Sequence, residues 1–381
     1  MELMSTVEGR NKRMKSVAII GTRGYPSYYG GFETAVRKLA PYLADKGWDV
    51  SVYSRPGQTR ADDINRDSRV QVVETVGLDS SALTTLTYGL TSVLHAKRRR
   101  PDVALVMNVA NGFWLSSLRR AGIPTVVNVD GIEWDRDKWG RVAKRVFREG
   151  ARLTAKHSTG LIFDSVEIAR YWKSEFNRFG DYIPYGGEAV EVTLPVEEGL
   201  NAGSYVLMVA RFVPENSVPQ FLEAASSISQ HLDVVIVGSS GFGGALDEAA
   251  QMLAGKNPRI HWLKHISDDR RLFSLWQHAS VYFHGHTVGG TNPALVQAMA
   301  LGVPVVARDT VFNREVLGDA GHFCDGGPAD IAEKVLQLAA DYDARQAAGR
   351  RGQERATEFY NWHLVCARYE QSLNRAVSLG V

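Results

Sequence analysis

SVYFHGHTVGGTNPALVQAMALGVPVVAR, residues 280–308, holds the reading of this chain. An apolar run ends at His284, a Gly289–Gly290 loop follows, and Thr291 or Asn292 stands where it can cap a helix whose first turn holds Pro293. A second apolar run, PVVAR (304–308), closes the unit. Strand, loop, helix and strand make a βαβ unit, and such units build parallel sheets. The same alternation recurs outward from it. Its own half contains SYVLMVA (204–210), DVVIVG (233–238), RIHWL (259–263) and GHFCD (321–325). The other half contains SVAII (16–20), DVSVYS (49–54), VQVVETV (70–76), DVALVMN (102–108), PTVVNV (124–129), GLIFDS (160–165) and DYIPY (181–185). Between Gly186 and Gly203 periodicity is lost in GGEAVEVTLPVEEGLNAG, which marks the domain boundary. The expected architecture is α/β, with two Rossmann-like, doubly wound domains at 14–190 and 191–360 facing a cleft. The chain beyond Pro328 reads as helical, and its last part, 361–381, is expected to pack back on the first domain. Residues 1–13, MELMSTVEGRNKR, are polar and aperiodic and read as a disordered leader before a second possible start at Met14.

Composition narrows the function. With 44 Lys and Arg against 42 Asp and Glu, the net charge of +2 argues against a dedicated nucleic-acid binder. Residues 1–190 hold 29 basic and 21 acidic side chains and residues 191–381 hold 15 and 21, so the halves face different partners. Cys324 and Cys366 cannot form a framework of disulfides and fit a reducing compartment. The longest apolar runs fall far short of the ~18–20 residues that span a bilayer, so a cytoplasmic protein is expected.

In open parallel sheets ligands sit at the carboxyl ends of strands, so the loops after strands carry the chemistry. Two stand out. GTRGYPSYYGGFET (21–34) brings Gly21, Gly24, Gly30 and Gly31 to the start of a helix near Phe32 whose Ala35, Leu39 and Leu43 form one buried stripe. The second, FHGHTVGGTNP (283–293), offers amides of Gly290, Thr291 and Asn292 at a helix N-terminus to an anion. Neither is a dinucleotide fingerprint or a phosphate loop of the G-x-x-x-x-G-K-[ST] kind, which disfavours a nicotinamide enzyme. Two such loops facing one cleft suggest a phosphate-bearing ligand bound between the domains. His284-x-His286 has no third ligand at fitting spacing, so no metal is expected.

The strings RGYPSYYGGFET (23–34), NVDGIEWDRDKW (128–139), ARFVPENS (210–217), FHGHTVGGTNP (283–293) and FNREV (312–316) resemble the rhamnosyltransferase-like branch of glycosyltransferase family 4. The resemblance runs from about Ser16 to about Arg375. It implies a GT-B fold and a retaining, metal-independent transfer without a cofactor, the nucleotide-sugar being a substrate. In that branch the donor is often dTDP-L-rhamnose and the acceptor a surface-polysaccharide or lipid-linked glycan. Carried over by position, Arg211 matches the basic residue that contacts the donor diphosphate, while its usual lysine partner is Asn216 here. Gln297 stands where the family has the glutamate that binds the nucleotide ribose, and Gly289 where it has the first glutamate of that pair. A donor without a ribose 2′-hydroxyl therefore loses less from Gln297 than UDP does.

Donor binding is thus expected of Arg211, His284, His286, Gly289, Gly290, Thr291, Asn292, Gln297 and Glu315. Asp130 and Glu133 are the catalytic candidates, to orient or deprotonate an acceptor hydroxyl or to cap the following helix. Arg23, Gly30, Gly31, Arg136 and Lys138 are the acceptor or phosphate-side candidates. Arg141, Lys144, Arg145, Arg148, Arg152 and Lys156 recur on one helical face, with Val142, Val146 and Leu153 on the other, a pattern that suits either a solvated helix or docking on an anionic membrane surface. Location at the inner face of the plasma membrane follows from that second possibility. The alternatives are a UDP- or GDP-sugar transferase of the same fold and a catalytically silent sugar-nucleotide binder.

Overall fold

The structure is a computed structural model and describes residues 13–28, 30–78, 84–136, 139–241 and 243–380. The leader expected over 1–13 therefore lies, apart from Arg13, outside the described residues. Each β-branched run of the sequence forms a strand. The first domain contains β1 (Ser16–Ile20), β2 (Asp49–Ser54), β3 (Gln71–Glu74), β4 (Val103–Met107), β5 (Thr125–Asn128), β6 (Gly160–Phe163) and β7 (Asp181–Tyr182). The second contains β8 (Tyr205–Val209), β9 (Asp233–Val237), β10 (Ile260–Trp262), β11 (Val281–His284), β12 (Val305–Arg308) and β13 (Gly321–Cys324).

All pairings within the two sheets are parallel. The strand orders are 3-2-1-4-5-6-7 and 10-9-8-11-12-13. The order reverses between β1 and β4 in one sheet and between β8 and β11 in the other, and at such switch points the loops splay apart and leave a crevice. The central strands are buried on both sides, as crossover helices require: β4 is covered along its whole length.

In the first domain α1 (Gly31–Asp45) lies on one face, its Ala35, Leu39 and Leu43 at most 2% exposed. On the other face α2 (Thr84–Arg99), α3 (Gly112–Arg120), α4 (Arg141–His157) and α5 (Val166–Phe176) share one core around Phe163 and Trp172. The second domain adds α6 (Val218–Ile228), α7 (Ala245–Lys256), α8 (Asp269–Gln277), α9 (Pro293–Ala300) and α10 (Val311–Leu317). After β13 the chain is helical: α11 (Pro328–Ala340), α12 (Tyr342–Phe359) and α13 (Trp362–Leu379). Val365, Cys366, Tyr369, Leu373 and Ala376 of α13 join the first domain's core beside α1. This is the two-domain arrangement with a helical tail that the alternating pattern implies. Cys324 and Cys366 are free and buried, one in each core, and burial pushes their thiols up to about 11 and about 12.

Candidate active site

A cleft of about 480 Å³ opens between the carboxyl ends of the two sheets, where the switch points place it. The loops after β1 and β5 from one domain and those after β8 and β11 from the other are among the segments that line it. The second domain's two loops are laced together. Thr287 donates through its amide and its hydroxyl to the Glu215 carbonyl at 2.9 Å, and Ser217 donates to the Gly285 carbonyl at 2.7 Å. Asn313 of α10 holds the His286 carbonyl at 2.9 Å. Gly289 has φ +100°, which a side chain disfavours, so its glycine is a conformational requirement. Asn292 caps α9, accepting from the Ala294 amide at 2.9 Å.

Arg211, in the loop after β8, and Arg136, from the loop after β5, both line the cleft. The Asn216 side chain, 3% exposed, donates to the Arg211 carbonyl at 2.9 Å, so the residue at the family's lysine position braces the arginine's loop. Arg136 reaches across to the second domain: a Cβ built on Gly289 would lie 3.6 Å from its guanidinium. Burial, and after it the fields of His284, Arg211 and Arg136, hold the His286 pKa well below the ordinary value. A fixed cation from each domain thus lines the cleft, Arg136 against the Gly289–Gly290 turn at the N-terminus of α9, an arrangement suited to a diphosphate.

Twelve of the residues expected from sequence line this cleft: Arg23, Gly30, Gly31, Asp130, Arg136, Arg211, His286, Gly289, Gly290, Thr291, Asn292 and Gln297. Lys138 lies outside the described residues. Three others belong elsewhere. Glu133, 3% exposed, is ion-paired to Arg136 at 2.8 Å and accepts from the Trp139 indole at 2.8 Å, so it sits behind the arginine and orients it. Glu315 caps another helix across the domain boundary, accepting from the Ser165 hydroxyl and the Val166 amide at 2.8 Å. Both its oxygens are spent on the start of α5 rather than on a ligand. His284 is fully buried, bonded through Nδ1 to the Tyr282 hydroxyl at 3.1 Å and stacked on His286 at 4.5 Å. Burial alone drives it down to about 3. Among the described residues no three His, Cys, Asp or Glu side chains gather as metal ligands.

Two further expectations are revised. The Thr291 amide and hydroxyl are not free for an anion, because both donate to the Asp164 carbonyl of the first domain. Gln297 does not present its amide to the cleft. Its Oε1 accepts from the Glu188 amide at 2.9 Å and its Nε2 donates to the Glu188 carbonyl at 2.8 Å, a two-bond ring with the linker. The loop after β1 also differs from its reading as an anion site: Glu33, 6% exposed in the first turn of α1, accepts from the Arg23 amide at 3.1 Å. The chain's own carboxylate occupies that helix mouth.

Asp130 alone of the two catalytic candidates reaches the cleft. It has φ +60° and its amide donates to Asn128 at 3.0 Å, while Asn128 in turn donates to the Tyr369 hydroxyl of α13 at 2.6 Å. The C-terminal helix therefore supports the end of β5. The cleft is bridged nearby by Arg37 with Asp269 at 2.7 Å and Lys38 with Glu188 at 2.5 Å. Sequence reasoning passed over Asp164, although it ends the run GLIFDS, where strand-end residues are first candidates.

Residues 14–188 match the family model described as a domain of unknown function, DUF1972, and residues 196–355 match that of the glycosyl transferases group 1. The capsular polysaccharide biosynthesis glycosyltransferase CapM of Staphylococcus aureus is 26% identical over 186 residues, 46% of this chain and 47% of CapM. The O-antigen chain mannosyltransferase B of Escherichia coli is 27% identical over 187 residues, 47% of this chain and 48% of that protein. The chain thus spans about half the length of these two curated relatives. The MMP alpha-(1->4)-mannosyltransferase of Mycolicibacterium hassiacum is 26% identical across 95% of this chain and 99% of that protein. Among solved structures, sucrose-phosphate synthase of Thermosynechococcus elongatus superposes with a TM-score of 0.77 at 18% identity, covering 96% of this chain and all of that one. HepE of Anabaena, in complex with UDP and glucose, superposes with a TM-score of 0.72 at 16% identity, covering 95% and 99%. With one family match on each sheet, the chain has the GT-B fold, its first domain similar to DUF1972 and its second to the glycosyl transferases group 1.

Proposed function

We propose that this chain is a retaining, metal-independent glycosyltransferase that moves L-rhamnose from dTDP-L-rhamnose to a surface-polysaccharide or lipid-linked glycan. The observation that carries the reading is Arg136 set against the Gly289–Gly290 turn and Arg211 lining the same cleft from the other domain, with Asp130 beside Arg136 in the loop after β5. When the glycosidic bond breaks, negative charge grows on the departing diphosphate and positive charge on the sugar. The two guanidiniums and the N-terminal end of α9 oppose the first, and the Asp130 carboxylate opposes the second or takes the acceptor hydroxyl's proton. Glu133 keeps Arg136 aimed at the leaving group. His286, held neutral, lines the same cleft.

The engagement of Gln297 with the Glu188 backbone supports a deoxyribose donor, since a nucleotide that needs no carboxylate at its 2′-hydroxyl gives up nothing there. A second reading, a UDP- or GDP-sugar on the same scaffold, is favoured by the relatives named as mannosyltransferases and by the neighbour solved with UDP. Nucleotide release from dTDP-L-rhamnose, a UDP-hexose and GDP-mannose, each with extracted lipid acceptors, separates the readings. Faster turnover of dTDP-L-rhamnose is expected. Preference for another nucleotide overturns the donor assignment, and binding without any turnover identifies a silent binder.

A membrane-borne acceptor suits the basic face of α4, where Arg141, Arg145 and Lys156 are exposed and Val142 is 74% exposed beside them. Arg148, also exposed, is paired with Glu175 at 2.7 Å. No helix among the described residues is long and apolar enough to cross a membrane. Docking from the cytoplasmic side is read from co-sedimentation with anionic against neutral vesicles, and equal binding to both rejects it.

A further inference from the structure

Asp164 closes β6 on the first domain and faces the second domain's anion turn, and it lies in none of the motifs that carry the family resemblance. It is 2% exposed and lines the cleft, and its Oδ1 is buried without a hydrogen-bond partner. Its carbonyl holds Thr291, and its carboxyl lies so close to Gly290 that any Cβ there would collide with it. The ionisable groups facing it are Asp130 at the end of β5, Glu315 on α10, Arg136, and the hydroxyls of Tyr182, Tyr185 and Tyr369. Two of these are carboxylates and one is a guanidinium already paired with Glu133. Burial, reinforced by Asp130 and Glu315, raises the Asp164 carboxyl well above the usual carboxylate range.

A charged carboxylate against the Gly290 turn would repel a diphosphate, whereas a carboxylic acid offers it a hydrogen. We propose that Asp164 is a further donor-binding residue, meeting the sugar nucleotide's phosphate as a hydrogen-bond donor through Oδ1. Its proton stays on the carboxyl throughout, and no bond is made or broken. The inference rests on the donor reading of this cleft.

The test measures dTDP and UDP affinity by calorimetry for the wild type, Asp164→Asn and Asp164→Leu, from about pH 5.5 to about pH 8.5. The asparagine amide donates without titrating, so it rescues binding. Relative to it, wild-type affinity is expected to fall with rising pH, by at most about tenfold per pH unit. The leucine variant is expected to bind about tenfold or more weakly at every pH, the loss of one hydrogen bond to a charged group. The phosphate's own ionisation is common to all three proteins and cancels in the ratio. A wild-type to asparagine ratio that is constant with pH, or a leucine variant that binds like the asparagine one, overturns the inference and leaves the donor reading intact. Failure of the wild type to bind either nucleotide overturns both.

Discussion

The loop after β1 and the loop after β11 are built from the same parts, a glycine pair leading into a helix, and they abut: a Cβ on Gly31 would lie 3.3 Å from Pro293. Their electrostatics are opposite. At α1 the first turn contains Glu33, whose carboxylate bonds back to the Arg23 amide and neutralises the helix end from within. At α9 the first turn has no acid, the cap is a neutral asparagine, Arg136 lies against the turn and Arg211 lines the same cleft. A glycine-rich helix mouth is therefore an anion site only where the chain has not already supplied the anion.

The largest effect that tests this contrast comes from the arginines. Arg136→Ala or Arg211→Ala is expected to weaken nucleoside diphosphate binding by about ten- to hundredfold each, the loss of a hydrogen bond to a charged group. Arg23→Ala, beside the self-filled mouth, is expected to leave that affinity within about threefold, while acceptor turnover falls. Calorimetry with dTDP checks both. Next in size, Gly290→Ala drives a methyl into the Asp164 carboxyl and is expected to reduce dTDP affinity more than tenfold, whereas Gly30→Ala, with 3.4 Å to Glu33, is tolerated.

A third difference appears in acid. His284 and His286 lie under the second loop and stay neutral in the folded chain, His284 down to about 3 from 6.5. The stabilising contribution of His284 is complete above pH 6.5 and is lost as pH falls toward about 3, at up to about 1.4 kcal/mol per pH unit for each proton the unfolded state takes up, and that of His286 runs in the same direction. His284→Asn is expected to flatten that acid limb in Tm measured from pH 7 to pH 4 by about one proton's worth. The smallest effect is at Glu315. Glu315→Ala removes the α5 cap and is expected to cost about 1–2 kcal/mol in urea unfolding, with dTDP affinity changed by less than the arginine variants change it.

Strand positions were legible because parallel strands buried on both faces read as unbroken β-branched runs, and the end of each run marked a loop to inspect. That rule found Arg211, Asp130 and the Gly289–Gly290 turn. It could not find what Glu315 and Gln297 do, because their partners are set by tertiary approach, whereas Glu133 meets Arg136 and Trp139 three and six residues along its own loop. Glu315 meets Ser165 from 150 residues away and Gln297 meets Glu188 from 109. A carboxylate or amide in sequence carries no sign of whether a backbone amide will arrive to use it. The self-filled mouth of α1 was more accessible, since Glu33 in a first turn is itself a helix-end anion. Asp164 was accessible too, at the end of a strand already located.

The most direct measurement is a crystal structure with dTDP bound. Both phosphates are expected between Arg136, Arg211 and the Gly289–Gly290 turn, with the Gly30–Gly31 mouth still closed by Glu33. A diphosphate seated at Gly30–Gly31 with Glu33 displaced would contradict the assignment of the two loops.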